Sequence, residues 1–202
     1  YTIIANEGGG AVDDAYLYRL GEKEYLLVVN AANSSKDLAW LREHLRKFPK
    51  VILEDRTERI AMASFQGPGS KAVLEKILRE TRSMLPHPGR NNFRKASIEG
   101  VGVTISRTGY TGEPVGFELF FSADKALAIW EKLCHTGQGQ GNVTAGLGAR
   151  ETLRLEAGLP LYGHEYGIDM EGKEIPVLAV PAAKIGVSIS SVKGNYIGKE
   201  AL

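Results

Sequence analysis

An α+β fold, with antiparallel sheets covered by helices, is what this 202-residue sequence predicts. Three observations carry that expectation. Short apolar runs with strand-like patterning recur, and several are joined by tight turns, at Asn6 to Gly10, Glu22-Lys23 and Glu99-Gly100. Amphipathic helical stretches follow other such runs. Hairpins then interrupt the strand–helix alternation, which argues against a doubly wound parallel sheet. Two α+β units are expected. The first, 1–92, holds strands and two helices. The second, 93–202, holds the Arg107-Thr-Gly-Tyr-Thr-Gly-Glu113 loop and the helix entered through Gly146-Leu-Gly-Ala-Arg150. No close internal repeat is visible.

The elements follow in order. Tyr1 to Ala5 reads as a strand, and the glycines at 8–10 as a turn. In the next strand side chains alternate, so Asp14, Tyr16 and Tyr18 share one face. A carboxylate in line with two tyrosines suits a flat heteroaromatic ligand, and equally an exposed strand face with a turn aspartate. Tyr25 to Val29 is a strand, and Asn33, Ser34 or Ser35 can cap a helix from Lys36 to Phe48. Leu38, Leu41, Leu45 and Phe48 form its apolar stripe; Asp37 is assigned to the solvent side, and His44 is expected to be exposed.

Val51 to Glu54 and Ile60 to Phe65 read as strands, with Ser70 capping a helix from Lys71 to about Thr81. The Gly67-Pro-Gly-Ser-Lys71 run lacks P-loop spacing. Phe93 to Ile98 and Val101 to Ile105 form a predicted hairpin. The loop Ser106 to Glu118 leads into a strand, Phe117 to Phe121. A helix to about His135 follows, with the stripe Leu127, Trp130, Leu133 and Cys134. Ala149 to Ala157 is a further helix, Lys184 to Ile189 a last strand, and Gly194 to Lys199 enters a final helix.

Composition narrows the function classes. Apolar content is 43%, charged content 24% and the net charge +1, which gives no reason to propose a nucleic-acid or lipid surface. The single cysteine, Cys134, excludes a disulfide framework and a cysteine-based metal cluster, and a buried inert thiol is expected. No run approaches the roughly 20 apolar residues of a membrane span, and no signal peptide is visible. No metal-ligand spacing and no Ser-His-Asp or Cys-His set stands out.

Arg150 and Arg154 lie four apart on one helix and project from the same side. Glu151 can pair across a turn with Arg154. The arrangement fits a helix salt-bridge ladder or an anion gripped by a guanidinium. The residues alone thus outline a possible ligand site made of Asp14, the tyrosines, the Ser106 to Glu118 loop and the arginine helix.

Five segments in this order resemble aminomethyltransferase, the T-protein family of the glycine cleavage system: Gly9-Gly-Ala-Val-Asp-Asp14, Val28-Val-Asn-Ala-Ala-Asn33, Ser106-Arg-Thr-Gly-Tyr-Thr-Gly-Glu113, Gly146 to Gly158, and Tyr196-Ile-Gly-Lys-Glu-Ala-Leu202. The resemblance covers the chain from end to end and corresponds to the middle portion of the family's length. It implies a folate-binding T-protein-like fold lacking the N-terminal segment and the C-terminal barrel. It implies an enzyme that moves an aminomethyl carbon from the lipoyl arm of H-protein to tetrahydrofolate and releases ammonia. The implied partner is lipoylated H-protein, with no nucleic acid, membrane or metal. The implied location is the cytoplasm in bacteria or the mitochondrion in eukaryotes.

By residue, the resemblance assigns catalysis to Asp14, the pterin edge to Glu118 and folate contact to Arg150. Tyr1, Tyr18, Asn30 and Tyr110 match positions lining the folate cavity. The family usually runs Gly-Glu-Asp-Gly-Phe-Glu where this chain has Gly112-Glu-Pro-Val-Gly-Phe-Glu118, one residue longer. Alternatives are a folate-dependent demethylase of the same superfamily, a truncated inactive fragment, or a non-catalytic folate-binding paralogue. Such paralogues carry Lys-Gly-Cys-Tyr where this chain has Lys193-Gly-Asn-Tyr196.

Overall fold

The computed structural model describes residues 1–177 and 194–202. In chain order its elements are β1 (Thr2–Ala5), β2 (Ala11–Arg19), β3 (Tyr25–Val29), α1 (Ser34–Leu45), β4 (Ile60–Gln66), α2 (Ser70–Glu80), β5 (Phe93–Ile98), β6 (Val101–Ser106), β7 (Gly116–Ser122), α3 (Ala126–Gly137), α4 (Leu147–Glu156), β8 (Gly167–Ile168) and β9 (Glu174–Ile175). Among the described residues every strand pair is antiparallel, and the α+β class stands.

The chain forms two compact units that differ from a division at residue 92. One comprises Tyr1–Asp55 with Pro160–Leu202, the other Arg56–Leu159. The reason is strand pairing. β4 pairs along its whole length with β7, so strands from both sides of residue 92 share one sheet.

In the first unit β2 is the central strand of the order β1-β2-β3. Ile4, Val12 and Ala15 form a small core with Leu27, Val29 and Trp40 packed against it. A second cluster joins Ala11, Tyr166 and Val177, so the late segment closes onto β2. At Gly198, φ is +80° and a Cβ would lie 2.5 Å from the Asn6 carbonyl oxygen, so only glycine fits there.

α1 departs from its expected polarity. Its fully buried residue is Asp37, whereas Leu38, Leu41 and Leu45 are half-buried and Phe48 lies exposed beyond the helix end. His44 is half-buried too: its ring stacks on Trp40 at 3.9 Å and its Nε2 lies 3.5 Å from Glu7. Residues 51–54 form no strand, and Ile52 is 94% exposed. A continuous apolar run signals a buried strand only where a partner strand exists.

The second unit has the order β4-β7-β6-β5. Phe65, Val103, Ile105, Phe117, Leu119 and Phe121 meet Val73, Leu74, Ile77 and Leu78 of α2 and Ile129 and Leu133 of α3. The hairpin turns at Glu99-Gly100, both with positive φ, as expected. α3 buries Ile129 and Leu133, while Leu127 and Trp130 are exposed. The sequence offers two apolar stripes a residue apart, and the sheet selects the one containing Ile129. Cys134 is half-buried. Ser70 opens α2 itself and ties loops by donating to the Gly67 carbonyl at 2.7 Å, with the Val115 carbonyl at 3.1 Å. The strand expected at Lys184 to Ile189 lies outside the described residues. Residues 197–201 form turns in place of the expected final helix.

Candidate functional site

In the first unit the site grows from the middle of β2. Asp13 and Asp14 are successive strand residues, so they leave the backbone on opposite faces. Asn30 follows β3 directly, and its neighbour Val29 pairs with Ala15. Asn30 is thereby set beside both aspartates. Its Nδ2 lies 2.9 Å from Asp13 Oδ1 and 2.7 Å from Asp14 Oδ1, and its backbone N–H donates to Asp13 Oδ2 at 3.2 Å. Asn33 Nδ2 adds a bond to Asp13 Oδ1 at 2.8 Å. Asp13 is fully buried, and these N–H donors offset the loss of water around its carboxyl.

Asp14 is half-buried and faces aromatic rings. Tyr16 and Tyr18, on its side of the strand, stack with centroids 5.5 Å apart, and Tyr1 packs 6.0 Å from Tyr16. Tyr18 is buried. The Tyr1 and Tyr166 hydroxyls lie 3.4 Å apart, and both bond the Asp14 carboxyl. Burial pushes that carboxyl above its ordinary range, and Asp13 pushes the same way. Hydrogen bonds from Tyr166, Asn30 and Tyr1 oppose this. Burial, then the Asp14 charge, holds the Tyr166 phenol far above its usual range, so it stays a donor.

The second unit carries its own cluster. Glu118 on β7 lies opposite Ser64 of β4 and Ser106 of β6, in unbroken register from Gly116. Pro114 and Val115, where the resemblance sets an extra residue, lie before this strand begins. Thr108 donates to Glu118 Oε2, and its hydroxyl lies 3.0 Å from that of Ser106. Arg107 closes the loop beneath, donating to the carbonyls of Gly116 at 3.2 Å, Pro114 at 3.3 Å and Pro88 at 3.4 Å. At Gly112 φ is +77°, and a Cβ would stand 2.6 Å from that of Ala157, so the loop tip lies directly on the end of α4.

α4 separates its two arginines. Arg154 is buried, with Nε 2.8 Å from Glu151 Oε2 and Nη1 3.2 Å from the Leu159 carbonyl. Arg150 is exposed, with its guanidinium 4.8 Å above the Tyr110 ring and 3.4 Å from Glu151 Oε1. The salt-bridge reading therefore holds, with Glu151 between both arginines, and Arg150 remains the accessible guanidinium of the two.

The sequence-based residues thus fall into two groups. Asp14, Asn30, Tyr1 and Tyr18 are gathered in the first unit, and Glu118, Tyr110 and Arg150 stand in the second. Tyr166 and Asp13 were not singled out by the sequence reading. The aromatic pair Tyr162 and Tyr166, set among glycines, was the available signal for the first. Among the described residues no group of three or more His, Cys, Asp or Glu is placed to hold a metal ion.

Residues 1–177 match the model of the GCVT N-terminal domain. The chain belongs to this family. The aminomethyltransferase of Caldanaerobacter subterraneus subsp. tengcongensis is 42% identical over 202 residues, covering all of this chain and 51% of the relative. That of Chlorobium chlorochromatii is 40% identical over 201 residues, covering all of this chain and 52% of the relative. The crystal structure of glycine cleavage system aminomethyltransferase T from Bartonella henselae superposes with a TM-score of 0.62 at 34% identity. It covers 79% of this chain and 40% of its own. The chain spans about half the length of the curated relatives it matches. Among the described residues no helix is long and apolar enough to cross a membrane.

Proposed function

We propose that the chain supplies the folate-side machinery of a tetrahydrofolate-dependent aminomethyltransferase. The reaction moves an aminomethyl carbon from the lipoyl arm of H-protein to tetrahydrofolate and releases ammonia. The observation that carries this reading is the setting of Asp14: a half-buried carboxyl, raised by burial, fixed by Asn30 and faced by tyrosines. Those residues fit the ligand. Stacked rings suit a flat heteroaromatic group, and a fixed carboxyl suits its N–H donors.

Tetrahydrofolate, when bound, provides the nitrogens that take up the one-carbon unit. Asp14 orients those nitrogens and exchanges a proton at its carboxyl, a role that depends on placement as much as on acidity. Its raised carboxyl lies nearer the neutral range, where a carboxyl group exchanges a proton most readily. Tyr1 presents ring surface, the buried Tyr18 backs the Tyr16 ring, and Asn30 holds Asp14. In the second unit Glu118, fixed by Thr108, accepts paired N–H donors of the pterin edge. Arg150, laid over Tyr110, binds the ligand's anionic part.

Calorimetric titration with tetrahydrofolate, followed by a methylenetetrahydrofolate assay with aminomethylated H-protein, tests the reading against Asp14→Asn. Binding and turnover that both depend on Asp14 support it. Binding without turnover removes the catalytic claim for this chain, and no binding removes the site.

A further inference from the structure

Asp37 is the anomaly of the first unit. It sits on α1, is 1% exposed, and neither carboxyl oxygen meets a hydrogen-bond donor. An ionised carboxylate in that setting would lose its hydration with nothing in return. Its neighbour is the buried carboxyl of Asp13, within hydrogen-bonding reach. Two acceptors side by side become a bond only when one holds a proton. Asp13 already receives the Asn30 backbone N–H, Asn30 Nδ2 and Asn33 Nδ2, so its oxygens serve as acceptors. Asp37, which receives nothing, is the member that carries the proton.

The geometry points to Asp37 as a positioning residue: as a neutral acid it donates its proton to Asp13, and this bond fixes Asn30 and through it the Asp14 carboxyl. The chain of contacts is continuous, from Asp37 to Asp13, to Asn30, to Asp14. The inference rests on the reading of Asp14 as the acting carboxyl.

The charges facing Asp37 agree with that state. Burial is the largest influence and raises its carboxyl. Asp13 and Asp14 on β2 raise it further, and Lys36 on its own helix lowers it; the outcome is a value of about 7. Lys36 is engaged elsewhere, with its ammonium on the Val12 carbonyl and 3.8 Å from the Tyr162 ring centre. Above neutrality the proton leaves, two buried carboxylates face each other, and the support of Asp14 through Asn30 is lost.

The test uses the 202-residue chain with 13C-labelled aspartate carboxyls, titrated by NMR. One aspartate resonance is expected to titrate near neutrality and to vanish in Asp37→Asn. The amide can donate to Asp13 as the acid does, so Asp37→Asn rescues tetrahydrofolate affinity relative to Asp37→Ala. Asp37→Ala is expected to weaken it on the order of tenfold. In wild type the affinity falls as pH rises past neutrality, and in Asp37→Asn that fall is absent. The inference is overturned if no aspartate titrates above the ordinary carboxylate range, or if the neutral titration survives in Asp37→Asn. It is also overturned if Asp37→Asn and Asp37→Ala weaken affinity alike. The NMR titration needs no folate, so failure of the acid pair and failure of the folate reading are separate results. If Asp37→Ala does not fold, the wild-type and Asp37→Asn titrations still decide.

Discussion

The Asn30 side-chain nitrogen lies 2.9 Å from Asp13 and 2.7 Å from Asp14, bridging two carboxyls that leave one strand on opposite faces. Changing one of these carboxyls is therefore felt by the other. Asn30→Ala leaves a buried carboxyl short of a donor and should lower stability by roughly 1–3 kcal/mol. Asn30→Asp sets a third carboxyl against the pair and should cost more at neutral pH than at pH 4. Urea unfolding at both pH values measures the difference.

Under the proposed function Asp14→Asn should abolish aminomethyl transfer, and the same change should make the fold more stable at neutral pH. The sign follows from the raised carboxyl. The folded chain holds the proton more tightly than the unfolded one, so stability declines as pH rises through the interval between the unfolded and folded values. An amide has no such decline. Parallel activity and thermal-melt measurements would show the opposite movements.

Asp37 should contribute a similar slope over a definite window. Its carboxyl rises from the ordinary 3.8 to about 7, so stability falls from about pH 4 to about pH 7 and is flat beyond with respect to this group. Asp37→Asn should remove that slope and raise neutral-pH stability on the order of 2 kcal/mol. Unfolding free energies at half-unit pH steps would reveal a slope that persists, contrary to expectation.

Gly112→Ala should destabilise the second unit by roughly 1–3 kcal/mol. The left-handed backbone and the contact with Ala157 both oppose a methyl group there. Gly100→Ala has the same kind of φ with open space around it and should cost less, which separates strain from collision.

Arg150→Ala and Arg154→Ala should part company. Arg154 is buried against Glu151, and its loss should cost on the order of 3 kcal/mol. Arg150 is exposed, so its removal should change stability by less than about 0.5 kcal/mol. Its effect should instead be weaker tetrahydrofolate binding in calorimetry.

Local patterns were legible where one residue type dictates one geometry. The shared face of Asp14, Tyr16 and Tyr18 follows from strand alternation, and the β5–β6 turn follows from Glu99-Gly100. The pairing of Glu151 with Arg154 follows from helical spacing. What escaped was decided by partners far away in sequence. Asp37 reads as a solvent-side residue on an amphipathic helix until Asp13 is placed against it. Tyr166 lies in a stretch without periodicity, and only the closure of the late segment onto β2 brings it to Asp14. The pairing of β4 with β7 joins residues at least fifty positions apart, beyond the reach of the local signals that set a boundary at 92. The folate assignments of Glu118, Arg150 and Tyr110 rest on motif order, because no spacing rule alone picks them out.

The two-part composition of the first unit has a consequence for biosynthesis. Residues 56–159 form a contiguous unit whose strands can pair as soon as that segment leaves the ribosome. The first unit draws on both Tyr1–Asp55 and Pro160–Leu202: Asp13 meets Asn30 and Asn33 within its own segment, but Asp14 waits for Tyr166 until the later segment arrives. Slow translation or early termination downstream of Leu159 would thus spare one unit and leave the aspartate-bearing strand as the segment most in need of chaperone protection.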